Sequence, residues 1–261
     1  MARSIQAKKI VIKIGTNTLT HENGLLNLNV MQNLVSQIAK IKNTKDIVIV
    51  TSGAIGAGMK ELNLKEKPKD VVMKQVCAAV GQNILMANYH FLFSKHDIKI
   101  AQILLTYSDL ANNITYKNLK NSLNKLFILG VIPIINENDP ISINEIGPSF
   151  GDNDNLSALI ASKIKADLLI ILTNVEGLYN KDPKQKNAVL VREIKDVDKK
   201  IEAMAAGSSH LGIGGMKTKV RAAKKATQSG ITTIIANGRS ENALLKIING
   251  EEVGTIFYAK K

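Results

Sequence analysis

The sequence has little of several residue types, and each shortage excludes a class of protein. It contains one cysteine, Cys77, so an internal disulfide is impossible and a reducing compartment is expected. It has no uncharged apolar run of about 18 residues, which a membrane-spanning helix would need. Residues 1–6 lack the apolar segment of a signal peptide. We therefore expect a cytoplasmic protein without a membrane partner.

Aromatic residues and arginine are also scarce, although the chain is strongly basic. The net charge is +13, yet aromatic residues make up only 4% and the 35 basic residues are mostly lysine. Single-strand binders stack bases on aromatic rings, and base or phosphate recognition favours the planar guanidinium of arginine. We therefore predict a lysine-rich solvated surface without a nucleic-acid partner, and a charged small substrate fits the same surface. The four histidines lack metal-ligand spacing, so no metal site is expected.

What is present is an alternation of strand and helix patterns that is regular up to Asn174 and looser after it. Five short β-branched runs are separated by helical patterns, which indicates βαβ units. The predicted fold class is α/β, a three-layer αβα sandwich around a largely parallel sheet. We expect one domain over residues 1–261, with a soft division near Lys165 into lobes of about 1–165 and 166–261. Residues 174–191 read as a loop or hairpin, and "GTIFYAK" near the end reads as an edge strand.

Polar or glycine-rich clusters follow four of the predicted strands. In parallel sheets, ligands bind beyond the carboxyl ends of the strands, so four such ends indicate a shared crevice. The clusters are "KIGTNT", "TSGAIGAG", "NENDP" and "LTNVEG".

Individual residues in these clusters have a functional and a plain structural interpretation. Lys13 within a buried strand is costly unless an anion pairs with it, although a lysine on an edge strand could reach solvent. "TSGAIGAG" lets the Ser52 hydroxyl and the backbone of Gly53 and Ala54 approach a ligand, or forms a tight turn into a packed helix. "GGMKTK" starts a helix where phosphate would be favoured, and Lys219 would supply a second cation.

The stretch "FGDNDNLSA" carries more capping residues than a helix needs. It places two acids and two amides at residues 152–155, directly before a helical pattern. One Asp, Asn or Ser would cap the helix alone, so the surplus predicts contact with a ligand.

Together these blocks resemble the amino acid kinase family. The resemblance covers nearly the whole chain and involves five blocks in order: "KIGTNTLT", "VTSGAIGAG", "NENDP", "FGDNDNLSA" and "GGMKTKVRAA". It implies the amino acid kinase-like fold and a transferase that phosphorylates the γ-carboxylate of L-glutamate with ATP and Mg²⁺, the entry step of proline biosynthesis. Acetylglutamate and uridylate kinases of the same family remain alternatives, as does a basic RNA-binding protein on a kinase fold.

The resemblance also implies roles for individual residues. Lys13 and Lys219 would hold the transferring phosphoryl group, with Asp154 orienting both lysines. The glutamate would contact residues 52–54, Asp139, Asp152 and Asn153. The nucleotide would contact Lys13 and the following residues: Thr173, Asn174, Ile213, Gly214, Gly215, Met216, Lys217, Thr218 and Lys219.

Two features depart from the family pattern. Many relatives have Asp where this chain has Asn174, so that contact to the nucleotide would lack a charge. Many bacterial members also carry a C-terminal PUA domain, and we expect a short form without one, since the sequence given ends at Lys261. A homo-oligomer and an association with the next enzyme of the pathway are further expectations.

Overall fold

The computed structural model describes residues 3, 5–21, 23–142, 153–207 and 215–260. The strands among these residues are β1 Lys9–Ile14, β2 Asp46–Val50, β3 Ile100–Leu105, β4 Ile132–Glu137, β5 Leu168–Thr173, β6 Glu193–Ile194, β7 Thr232–Asn237 and β8 Thr255–Phe257. The helices are α1 Thr16–Leu19, α2 Leu28–Lys42, α3 Ala54–Glu61, α4 Val71–Ser94, α5 Tyr107–Ala111, α6 Asn113–Ile128, α7 Asn153–Ile164, α8 Lys199–Gly207, α9 Met216–Gln228 and α10 Ala243–Ile248. A 3₁₀ turn spans Asp139–Ile141.

The strands form one sheet in the order β3-β4-β2-β1-β5-β7-β8-β6. Neighbouring strands are parallel except β7 and β8, which are antiparallel. Helices cover both faces, so the predicted three-layer α/β fold is confirmed. Among the helices of the described residues, none is long and apolar enough to cross a membrane.

Two hydrophobic cores lie on opposite faces of the sheet because successive strand residues point in opposite directions. In β1, Ile10, Ile12 and Ile14 belong to the core that packs on α2, α4 and α10. Val11 belongs to the other core, which includes buried residues of α6, α7 and α9. Lys13 lies two residues after Val11 in β1, so its side chain leaves the sheet on the same face, which is the one covered by α7 and α9.

The last strand corrects one prediction. β8 is not an edge strand, because it pairs with β7 on one side and with β6 on the other. The two-residue strand β6 forms the edge instead, and so short a segment carries no strand pattern in the sequence. The loop or hairpin expected before it contains one antiparallel bridge, between Tyr179 and Leu190. The division into two lobes stays a prediction.

Helices α3 and α4 cross with almost no space between their backbones. A Cβ atom added at Gly58 would lie 1.8 Å from the carbonyl oxygen of Cys77, and one at Gly81 would lie 1.8 Å from that of Ala54. Only glycine fits at both positions, and the contact fixes α4 against the segment that follows β2. Cys77 is buried in this crossing, and burial raises the pKa of its thiol. Cys77 is therefore a packed helix residue.

Candidate active site

The four polar strand ends lie next to one another. They follow β4, β2, β1 and β5, which are consecutive and parallel in the sheet. Their carboxyl ends therefore meet at one edge, as the sequence predicts. α7 and α9 begin at this same edge, since their first residues contact side chains from the strand ends.

Asp154 is the centre of a buried charge cluster at this edge. One carboxylate oxygen, Oδ1, lies 2.5 Å from Nζ of Lys13, and the other, Oδ2, lies 3.1 Å from Nζ of Lys219. The hydroxyl of Thr218 donates to Oδ2 over 2.7 Å. Asp154 is fully buried, and both lysine side chains are about 95% buried. One anion thus orients two ammonium groups that come from a strand and a helix far apart in sequence.

The charge state of Asp154 follows from these contacts. Burial alone would raise the pKa of its carboxyl group, because an anion is poorly solvated inside a protein. The two ammonium groups and the hydrogen bonds from Lys13 and Thr218 outweigh burial and lower the pKa to about 2. The carboxylate is therefore ionised at neutral pH, and the cluster carries a net charge of +1 from two lysines and one aspartate.

The surroundings of Lys13 decide between its two interpretations. β1 lies between β2 and β5, so Lys13 is not on an edge strand and does not reach solvent along one. A Cβ atom added at Gly15 would lie 3.3 Å from Nζ of Lys13. Glycine therefore keeps the space beside the ammonium group open.

Lys219 projects from the first turn of α9. The N-cap residue of this helix is Gly215, which has no side chain to accept from the first backbone N–H groups. Uncapped N–H groups and the positive end of the helix dipole attract phosphate. Lys217 is exposed, in contrast to the buried Lys219. The predicted nucleotide residues Ile213 and Gly214 lie outside the described residues.

Asn153 joins α7 to the ends of two strands. Its side-chain Nδ2 lies 2.8 Å from the backbone oxygen of Thr51, 3.0 Å from the Ser52 hydroxyl and 2.9 Å from Oδ1 of Asn136. Both Asn153 and Ser52 are more than 90% buried. These contacts hold the amide against the end of β2. Asn153 directly precedes Asp154 in the sequence. The neighbouring Asp152 lies outside the described residues.

The segment after β2 forms the tight turn that is one interpretation of its sequence, and it also borders a pocket. Gly53 adopts a left-handed conformation with φ of 105°, and α3 begins at Ala54. The tight turn into a packed helix is therefore present. It also brings the Ser52 hydroxyl to Asn153 and places Ala54 on the wall of a pocket.

Asp139 lies in that pocket, which has a volume of about 300 Å³. The residue is 95% buried, and its Oδ1 has no hydrogen-bond partner within the part of the chain that the structure describes. Burial and the nearby charge of Glu137 raise the pKa of Asp139 to about 7. Glu137 itself accepts a hydrogen bond from the Ser142 hydroxyl over 2.7 Å. The pocket therefore contains an acid that is poised to accept a cation.

Two predicted nucleotide residues, Thr173 and Asn174, lie at the end of β5, which is on the opposite side of β1 from β2 and β4. Thr173 is buried at the end of the strand, and its hydroxyl lies 3.5 Å from Oδ1 of the exposed Asn174. The roles of Thr173 and Asn174 stay predictions.

Sequence reasoning missed three polar residues of this region. Asn136 and Glu137 belong to the "NENDP" block but end β4, where their hydrogen bonds are made by tertiary neighbours. Gln82 lies inside α4 and lines the pocket. A buried glutamine on the apolar face of a helix was the available signal, since uncompensated polar groups are rarely buried. Across the described ranges, no cluster of three or more His, Cys, Asp or Glu side chains could hold a metal ion.

Sequence comparison identifies the family. The model of the amino acid kinase family matches residues 8–237. The chain belongs to the amino acid kinase family. Three curated relatives are each named glutamate 5-kinase. The one from Dehalococcoides mccartyi is 50% identical over 96% of this chain and 68% of its own length. The one from Clostridium acetobutylicum is 47% identical over 97% and 95%, and the one from Methanococcoides burtonii is 46% identical over 96% and 68%.

Solved structures share the fold at much lower identity. Carbamate kinase from Giardia lamblia, bound to AMP-PNP, superposes with a TM-score of 0.69 at 19% identity, covering 96% of this chain and 98% of that one. UMP kinase from Bacillus anthracis superposes with a TM-score of 0.63 at 16% identity, covering 98% and 97%. These likenesses establish the fold alone.

Proposed function

We propose that this chain transfers the γ-phosphoryl group of ATP to the γ-carboxylate of L-glutamate, which yields L-glutamyl 5-phosphate and ADP and opens proline biosynthesis. The observation that carries the proposal is the buried cluster in which Asp154 orients Lys13 and Lys219. The identity of 46–50% to curated glutamate 5-kinases over nearly the whole chain supports glutamate as the acceptor.

The reaction requires charge stabilisation more than proton transfer. An oxygen of the ionised γ-carboxylate attacks the γ-phosphorus, and the bond from that phosphorus to the bridging oxygen of ADP breaks. No proton moves, because the nucleophile is already an anion and ADP leaves as one. Negative charge spreads over the transferring group, and two oriented ammonium groups stabilise it. Asp154 keeps Lys13 and Lys219 in place while leaving the pair with a net positive charge.

The residues at this edge fit the phosphates of ATP. The uncapped start of α9 offers backbone N–H groups, and Gly15 leaves the space beside the Lys13 ammonium group open. When bound, Mg²⁺ neutralises phosphate charge. Its ligands would be mainly phosphate oxygens and water, since Mg²⁺ usually takes only one or two protein carboxylates in such sites. Thr173 and Asn174 would border the nucleotide from β5.

The acceptor site would lie between α7 and the end of β4. Asp139 would accept from the α-ammonium group of glutamate, while the Ser52 hydroxyl, Asn153 and the backbone of residues 53–54 would border the acceptor. N-acetylation removes the ammonium charge and leaves a buried carboxylate without its partner. Such a loss typically costs about 3–5 kcal/mol, which corresponds to at least about a hundredfold preference for free glutamate.

The test measures ADP release with ATP and Mg²⁺ against L-glutamate, L-aspartate, N-acetylglutamate and UMP. We expect turnover with glutamate and little with the others. Aspartate is one methylene shorter and would not reach the γ-phosphorus in line. Hydroxylamine added to the reaction should trap the acyl phosphate as a hydroxamate, which separates transfer to a carboxylate from plain ATP hydrolysis. Lys13→Ala, purified in parallel, controls for a contaminating kinase.

Equal turnover of N-acetylglutamate or UMP would overturn the acceptor assignment and leave a kinase of the same family. ADP release without any hydroxamate would overturn carboxylate phosphorylation altogether. Homo-oligomerisation, association with the next enzyme of the pathway and a cytoplasmic location stay predictions beside this proposal.

A further inference from the structure

Gln82 is a second buried polar residue of the pocket that contains Asp139. Gln82 is 92% buried and lines the pocket, and its side-chain Nε2 has no hydrogen-bond partner among the residues that the structure describes. Oδ1 of Asp139 is likewise without a partner. A buried donor and a buried acceptor left open in one pocket each cost free energy unless a ligand satisfies them.

The hydrogen-bond network fixes which end of the Gln82 amide is already bound within the protein. The backbone N–H of Glu137 donates to Asn136 over 2.9 Å, and a backbone N–H can only donate. The contacted atom of Asn136 is therefore the oxygen, so its Nδ2 donates to Gln82 over 2.8 Å and must meet the oxygen there. The nitrogen of Gln82, with its two hydrogens, is therefore the end without a partner among the described residues.

The same network connects the pocket to the phosphoryl site. Oδ1 of Asn136 also accepts from Asn153, whose Nδ2 contacts the backbone oxygen of Thr51 and is thereby identified as nitrogen. Asn153 directly precedes Asp154, which holds the two lysines. A continuous relay of amides thus positions Gln82 relative to the reacting group.

We propose that Gln82 is a specificity-determining residue that donates hydrogen bonds to the α-carboxylate of the acceptor amino acid, beside Asp139, which accepts from its α-ammonium group. This inference rests on the proposed function and names the group that reads the α-carboxylate. The chemistry favours a zwitterionic head group. Glu137 and Asp139 would repel a ligand that carries only a carboxylate. The α-ammonium group of an amino acid offsets this repulsion. The neutral amide of Gln82 can then donate to the α-carboxylate without adding charge to the pocket.

Gln82→Glu is the sharpest test. It keeps an oxygen that accepts from Asn136 and replaces the NH₂ group of the amide with a second, negatively charged carboxylate oxygen. Hydrogen bonds to charged groups are strong, so the KM for glutamate should rise about 10- to 100-fold. The kcat and the KM for ATP should change by less than about threefold, because Gln82 bonds to Asn136 and lines the pocket on the acceptor side. Gln82→Met, whose side chain has similar length and no titratable group, replaces Gln82→Glu as the test variant if Gln82→Glu does not fold.

Two acceptor analogues separate a direct contact from a structural effect. 4-Aminobutanoate lacks the α-carboxylate, and glutarate lacks the α-ammonium group. As competitive inhibitors against glutamate, 4-aminobutanoate should bind Gln82→Glu at least as well as wild type, because the added anion attracts its ammonium group, while glutarate should bind the variant more weakly. Asn88→Asp is the matched control: it adds the same charge on α4, and the side chain of Asn88 donates to the Ile84 carbonyl of its own helix.

An unchanged KM for glutamate in an active, folded Gln82→Glu enzyme would overturn the role of Gln82 and leave the proposed function standing. An equal loss of 4-aminobutanoate and glutarate binding would also overturn it, because the effect would then not depend on the α-carboxylate. A wild-type enzyme without glutamate-dependent ADP release would overturn the proposed function first, and this inference with it.

Discussion

Two buried aspartates of the site have opposite surroundings. Asp154 contacts two ammonium groups and a hydroxyl, and its pKa is held at about 2. Asp139 faces a pocket beside Glu137, has an oxygen without a partner among the described residues, and has a pKa raised to about 7. The first is satisfied within the protein, whereas the second is incomplete. The contrast supports the proposal of a preorganised phosphoryl site next to a pocket that a cationic ligand group completes.

The largest expected effect comes from removing either cation of the Asp154 cluster. Lys13→Ala or Lys219→Ala should lower kcat by roughly 100-fold or more, since preorganised charge is then lost where the transition state needs it. ATP binding should weaken less. Steady-state kinetics check this, with Lys225→Ala on the exposed side of α9 as the control. Near-normal turnover in Lys219→Ala would assign the second cation to Lys217 instead.

Asp154→Asn keeps the shape of the side chain and removes the anion that orients the lysines. Catalysis should fall by tens- to about 100-fold. The two lysines would be left buried without their counterion, so the free energy of unfolding should also fall by about 3–5 kcal/mol. Kinetics and chemical denaturation measure both effects. Wild-type kinetics in a folded variant would reduce Asp154 to a structural role.

The pH dependence of stability distinguishes the two acids. Asp139 has a folded-state pKa of about 7 against an ordinary value of 3.8. Between these values the folded protein keeps a proton that the unfolded chain has lost, so stability falls as pH rises from about 4 to about 7. Each pKa unit corresponds to about 1.4 kcal/mol, which makes the full loss a few kcal/mol. Asp139→Asn should remove this slope in the ligand-free protein.

Denaturation curves at pH 5, 6, 7 and 8 measure that slope. Wild type and Asp139→Asn are expected to diverge as the pH rises, with the variant relatively more stable at pH 8. Asp154 should contribute nothing over this range, because its pKa of about 2 lies below it. Parallel curves for wild type and Asp139→Asn would contradict the raised pKa.

The smallest expected effect concerns Thr218, whose hydroxyl donates to Asp154 over 2.7 Å. Thr218→Val keeps the shape and removes one hydrogen bond to a charged group, so kcat should fall about 3- to 10-fold. A loss as large as that of Lys219→Ala, measured in the same assay, would mean that the hydroxyl and not the ammonium group is the main partner of the carboxylate.

The strand ends and the three charged residues of the cluster could be predicted from the sequence. Lys13 interrupts an apolar strand, and parallel strands bring their carboxyl ends together, so local pattern and topology pointed to one place. The polar surplus near Asp154 exceeded what a helix cap requires.

Other features depended on tertiary contacts that no local pattern contains. β8 was predicted at the edge because its pairing with the two-residue β6 leaves no sequence signal. Gln82 interrupts a largely apolar helix, and only the structure shows that Asn136 binds its oxygen and that its nitrogen has no partner among the described residues. The start of α6 at Asn113 is set by Asn112, whose side chain caps two backbone N–H groups.

Proton release on glutamate binding tests the contrast between the two aspartates most directly. Titration calorimetry at pH 6, in buffers with different ionisation enthalpies, gives the number of protons released per glutamate bound. Asp139 is mostly protonated there before binding and should ionise beside the ammonium group, so wild type should release close to one proton and Asp139→Asn almost none. Equal proton release by both proteins would contradict an incomplete, cation-accepting Asp139.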